Sequence, residues 1–105
     1  MKIMQVEIMK ILPGKMTKAM ELLEKQLAIQ SQLGAPPGRT YRGVSAQRKH
    51  IQTLVIERDW DNFTAMEAFA GKMLAAPDFQ ALTTEWATVL ESQKVEFYTP
   101  ITIEV

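Results

Sequence analysis

A chain of 105 residues with no cysteine, and with twelve basic residues balanced by twelve acidic ones, is sized for one domain over residues 1–105. The missing cysteine excludes a disulfide framework, thiolate catalysis and Cys-ligated zinc or iron–sulfur centres. The cancelled charge provides no global field for nucleic acid or an anionic membrane, and no run approaches the ~18 apolar residues of a span, so a soluble cytoplasmic protein is expected.

From the N-terminus, Ile3 to Ile11 alternates: Met4, Val6 and Ile8 form a clean apolar face, and Ile3, Gln5, Glu7, Met9 and Ile11 a mixed one, as in a strand. Leu12-Pro13-Gly14-Lys15 ends it, since Pro13 cannot donate to a ladder and Gly14 permits a tight turn. At Met16 the period changes. Met16, Ala19, Met20, Leu23, Leu27 and Leu33 make a helical stripe with Lys18, Glu21, Glu24 and Lys25 opposite. Gly34 fits the C-terminal cap, and Pro36-Pro37-Gly38 blocks continuation.

Arg39 to Arg48 reads as a weak strand, Lys49-His50 as a turn, and Ile51 to Arg58 as the strand strongest in β-formers, with Leu54 and Ile56 on one face and Ile51, Thr53, Val55 and Glu57 on the other. Asp59 or Asp61 is suited to cap the next helix, where Phe63, Met66, Phe69 and Met73 recur at helical spacing. Pro77-Asp78 breaks it and starts another helix, predicted from Asp78 to Ser92, whose stripe is Phe79, Leu82, Trp86 and Val89 or Leu90. Lys94 to Thr99 is the last strand, and the alternating tail 101–105 is suited to pair as an edge strand within the subunit or across a dimer. The order β-α-β-β-α-α-β is an α+β, ferredoxin-like split βαβ arrangement on an antiparallel sheet.

Both faces of the first and third strands carry apolar residues. Parity groups Met4, Val6, Ile8, Leu54 and Ile56 against Ile3, Met9, Ile11, Ile51 and Val55, with Gln5, Glu7, Thr53 and Glu57 among the latter. Two sheets packed face to face would hide the second face, so a homodimer is expected. Glu7 and Glu57, on that inward face, are the candidate general bases, with Tyr41 or Arg42 steadying an anion and Gln5, Trp60 and Tyr98 lining the pocket. The other reading makes both carboxylates structural ion pairs or exposed rim groups. Lys25, Arg39, Arg42, Arg48 and Lys49, with no acid between Glu24 and Glu57, form either a solvated hairpin or an anion-binding edge. His50 is the sole His and predicts no metal site, which needs several converging ligands.

Leu12-Pro13-Gly14-Lys15, Ile56-Glu57-Arg58-Asp59-Trp60, Ala75-Ala76-Pro77-Asp78-Phe79 and Phe97-Tyr98-Thr99-Pro100 together give a chain that resembles the dimeric α+β-barrel superfamily, within it the NIPSNAP-like and antibiotic-biosynthesis-monooxygenase-like groups. The resemblance implies a ferredoxin-like subunit, a homodimer with facing sheets, and a pocket between sheet and helices or inside the barrel. Heme-degrading members carry an Asn late in the first strand and an iron-ligating His after the Pro-Asp break. This chain has Glu7 at the first place and no His from Asp78 to Ser92, so no heme or other cofactor is expected. NIPSNAP-like members often place Arg and Tyr on the first strand, where Glu7 and Met9 stand here. The implied function is binding of a small aromatic or apolar molecule, with cofactor-free monooxygenase-like or proton-transfer chemistry at Glu7 or Glu57 if it is turned over. The alternative is a non-catalytic structural or interaction dimer.

Overall fold

A computed structural model describes residues 1–44 and 52–104; the expected turn at Lys49-His50, together with Arg48 and Ile51, lies outside them. The elements are β1 (Ile3–Ile11), α1 (Met16–Gln32), β2 (Arg39–Arg42), β3 (Thr53–Trp60), α2 (Phe63–Ala75), α3 (Pro77–Trp86) and β4 (Leu90–Tyr98). The strands form one antiparallel sheet in the order β2-β3-β1-β4, so β1 is flanked on both sides. This is the expected ferredoxin-like arrangement.

Register decides the site. Ile3 lies opposite Trp60, Gln5 opposite Arg58, Glu7 opposite Ile56 and Met9 opposite Leu54. Odd residues of β1 therefore share a face with even residues of β3, the reverse of the grouping expected from parity. Side-chain alternation is fixed within a strand, but the pairing between strands sets which alternating sets meet. The helix-facing side carries Ile3, Gln5, Glu7, Met9, Leu54, Ile56, Arg58 and Trp60, and the open side carries Met4, Val6, Ile8, Thr53, Val55, Glu57 and Asp59. Glu7 and Glu57 thus lie on opposite faces.

All three helices cover the first of these sides. Met9, Ile11, Leu54 and Ile56 pack with Ala19, Leu22 and Leu23 of α1, Leu82 and Trp86 of α3, and Val89. A second cluster joins Ile3 and Trp60 to Phe69, with Met66 and Met73 against it. Each fully buried aliphatic side chain here contributes about 1.5–3 kcal/mol relative to exposure. The buried stripe of α1 is Ala19, Leu22, Leu23, Gln26 and Gln30, rotated from the expected one; Met20 is exposed. Two amides occupy positions where apolar residues are the norm.

Several boundaries differ from expectation, among them the end of β2 at Arg42 and of β3 at Trp60. Asn62, rather than Asp59 or Asp61, caps α2: its Oδ1 accepts from the Ala65 N–H at 2.8 Å. Pro77 is the first residue of α3, and Asp78 sits in its first turn, favourable to the helix dipole without capping. That helix stops at Trp86, and β4 begins at Leu90 instead of Lys94. Pairing with β1 overrides the helical spacing of Trp86, Val89 and Leu90: the Leu12 N–H donates to the Val89 carbonyl, and Leu90 pairs with Ile11. At the other end of α1, Gly34 follows the cap at φ 92, the left-handed conformation for which Gly34 was expected. Residues 101–104 form no strand with their own subunit. Among the described residues no helix is long and apolar enough to cross a membrane.

Candidate functional site

A ladder of polar side chains runs along the helix-facing side of the sheet. At one end the Trp60 indole N–H donates to Gln5 Oε1 at 2.9 Å. In the middle Arg58, 6% exposed, donates to Gln30 Oε1 at 2.6 Å and to the Pro36 carbonyl at 3.2 Å. The Gln30 amide donates onward to Met73 Sδ at 3.3 Å. At the far end Gln93 of β4 donates to Glu7 Oε1 at 2.9 Å. Buried polar groups need such partners, because an unmet one costs about 1–3 kcal/mol.

Glu7 is the titratable centre of this ladder. Burial pushes its carboxyl above the ordinary 4.5; the Gln93 hydrogen bond, the Arg58 charge and the Gln26 amide pull it partly back. Arg58 feels the same surroundings in reverse: burial lowers it, and the Glu7 charge restores part of the loss. Glu7 is in no ion pair within 4 Å among the described residues. Its neighbour on β4 is Val95, and Gln5 faces Phe97. Those two β4 residues point to the helix side yet remain 44% and 40% exposed. Phe63 of α2 meets Phe97 edge-on, with ring centroids 5.3 Å apart. Glu7 and Gln5, with Gln93 of β4 itself, thus border a partly exposed apolar surface.

Glu57 has a different setting. On the open face it is held by Arg39 at 3.3 Å, and the same guanidinium grips Asp59 at 2.8 and 3.3 Å. The paired carboxylates raise Arg39, and Arg39 holds Asp59 below its ordinary value. Tyr41 and Tyr98 lie exposed on this face; the Tyr98 hydroxyl donates to Glu96 at 3.0 Å, which raises its pKa. Arg42 is an exposed edge residue opposite Leu54. Of the expected set, Glu7, Gln5 and Trp60 come together on the helix side, whereas Glu57, Tyr41 and Tyr98 lie across the sheet.

Two cavities flank the strand ends. One of about 420 Å³ lies between Leu33-Gly34 and α2, over Trp60 and Phe69; another of about 400 Å³ lies by Lys2, Met4, Tyr98 and Pro100. Glu7 and Glu57 line neither. Among the described residues no cluster of three His, Asp or Glu could hold a metal ion. Gln26, Gln30, Arg58 and Gln93 were not anticipated as site residues. Arg58 could have been, since it alternates in step with Leu54, Ile56 and Trp60.

No family model and no curated protein sequence matches the chain. Solved structures do. A NIPSNAP family protein from Agrobacterium tumefaciens superposes with a TM-score of 0.81 at 19% identity, over 96% of this chain and 94% of that one. An uncharacterised NIPSNAP-like domain protein from Burkholderia xenovorans gives 0.83 at 13% identity, over 99% and 89%. The fold is NIPSNAP-like. A Mycobacterium tuberculosis protein matches with a TM-score of 0.71 at 13% identity over the full length of both chains. At such identities the NIPSNAP-like likeness concerns backbone architecture, and the chemistry rests on the residues above.

Proposed function

We propose that this NIPSNAP-like chain binds a small, largely apolar molecule over β4, with Glu7 as the acceptor of an acidic proton on it. One observation carries the reading: a half-buried carboxylate, held by an amide rather than an ion pair, sits beside apolar residues of β4 that the helices leave partly exposed. Glu57, by contrast, is matched to the cation Arg39. A carboxylate whose pKa is raised by burial is moved toward the range useful to a general base near neutrality. Arg58, buried on the same face across β1 from β4, acts on Glu7 through its charge rather than on the ligand. Phe63, Val95 and Phe97 offer the flat apolar contacts that an aromatic ligand takes.

Thermal shift against phenols, quinones and short carboxylic acids tests this. A stabilising compound is expected, its effect lost in Glu7→Gln and kept in Glu57→Gln. Retention in Glu7→Gln, or equal loss in both, would overturn the assignment.

A second reading is supported by the open face. Several of its charges are matched among themselves, Arg39 with Glu57 and Asp59 and Lys94 with Glu96, which also accepts from the Tyr98 hydroxyl. What remains is an apolar band of Met4, Val6, Ile8 and Val55. Two copies packed through that band would form a homodimer, with or without catalysis at Glu7.

A further inference from the structure

The 420 Å³ cavity is separate from the apolar surface beside Glu7 and has its own chemistry. Its floor is aromatic: Trp60 and Phe69 pack 5.4 Å apart at 41°. Its walls are apolar and small, with Ala65 and Ala68 on α2 facing Leu33 and Pro36. Gly34 leaves open space where a side chain would stand. The volume falls within the ~300–1,000 Å³ of small-molecule sites.

The polar rim is uneven. Asp59 is already matched by Arg39, whereas Asp61 enters no ion pair among the described residues. Leu33 and Gly34 bring the C-terminal end of the 17-residue helix α1 to the same mouth. A helix C-terminus carries about half a negative charge, which adds to that of Asp61. The cation on the wall, Lys72, stands two turns along α2 from Ala65, about 10 Å by the helical rise. Indole and phenyl faces also attract cations.

We propose that this cavity binds a small organic ammonium ion, its charge between Asp61 and the end of α1 and its apolar body on Trp60 and Phe69. Lys72 then repels a cation placed the other way round and so sets the orientation. Three near-isosteric probes separate charge from shape: 2-phenylethylamine, 2-phenylethanol and 3-phenylpropanoate. The Trp60 indole N–H resonance reports occupancy, and that of Trp86, buried in the other cluster, is the internal reference.

The amine is expected to bind about tenfold more tightly than the alcohol, with the carboxylate weakest. Asp61→Asn should reduce the amine to the level of the alcohol. Ala65→Leu, at an exposed helix position, should fill the cavity and abolish all three responses. Glu7→Gln should leave them unchanged, which keeps this site distinguishable from the proposed one beside Glu7. An amine no tighter than the alcohol, an amine indifferent to Asp61→Asn, or no Trp60 response at millimolar probe would overturn the proposal.

Discussion

Arg58→Met is the most informative single change, because the guanidinium is both a structural donor and an electrostatic neighbour of Glu7. Methionine keeps much of the aliphatic volume, so cavity formation adds little. Two acceptors lose their donor, Gln30 Oε1 and the Pro36 carbonyl. Each stranded acceptor costs about 1–3 kcal/mol, and removing a desolvated charge returns part of the sum. The net loss should be about 2 kcal/mol, which at the usual sensitivity of a domain this size lowers Tm by about 8–16 °C. The second readout is Glu7. With the Arg58 charge gone, burial is less opposed and the carboxyl must titrate at higher pH. Calorimetry gives the first number and carboxyl-carbon NMR of labelled Glu7 the second. A Tm within 2 °C of the parent, or a Glu7 titration that does not move upward, would refute the ladder as described.

Three other outcomes follow from the geometry. Glu7 has a folded pKa above its ordinary 4.5, so the folded state binds the extra proton, and stability should fall as pH rises from about 4.5 through the raised value, then level off; urea unfolding between pH 4 and 8 should show that slope, and Glu7→Gln should flatten it. Asn62→Ala removes the α2 cap and should cost about 1 kcal/mol, lowering Tm by about 4–8 °C in a thermal melt, whereas Asp61→Ala should leave the cap intact. Val55→Lys places a charge in the apolar band of the open face; under the proposed homodimer, sedimentation should give a dimer for the parent and the 11.9 kDa monomer for the variant.

Much of the architecture is legible from local pattern. The bounds of β1, the left-handed Gly34, and the α2 stripe of Met66, Phe69 and Met73 follow from alternation, backbone preference and helical spacing. The site was harder to read, because its key relation is between strands. That Glu7 and Glu57 each alternate with apolar neighbours is visible in each strand, but that they face opposite ways depends on Glu7 lying opposite Ile56. Gln26 and Gln30 look like surface amides until Arg58 and Glu7 are seen beneath them. Trp86, Val89 and Leu90 keep helical spacing past the point where pairing with β1 draws the chain into β4.

Strand β1 is oily enough on either side that hydrophobicity alone would tolerate a one-residue slip, exchanging Ile3, Met9 and Ile11 for Met4, Val6 and Ile8. Gln5 makes the two alignments unequal, because only the observed one brings its amide oxygen to the Trp60 indole. Gln5 and Trp60 therefore favour the observed register over a slipped sheet that apolar contacts alone would accept.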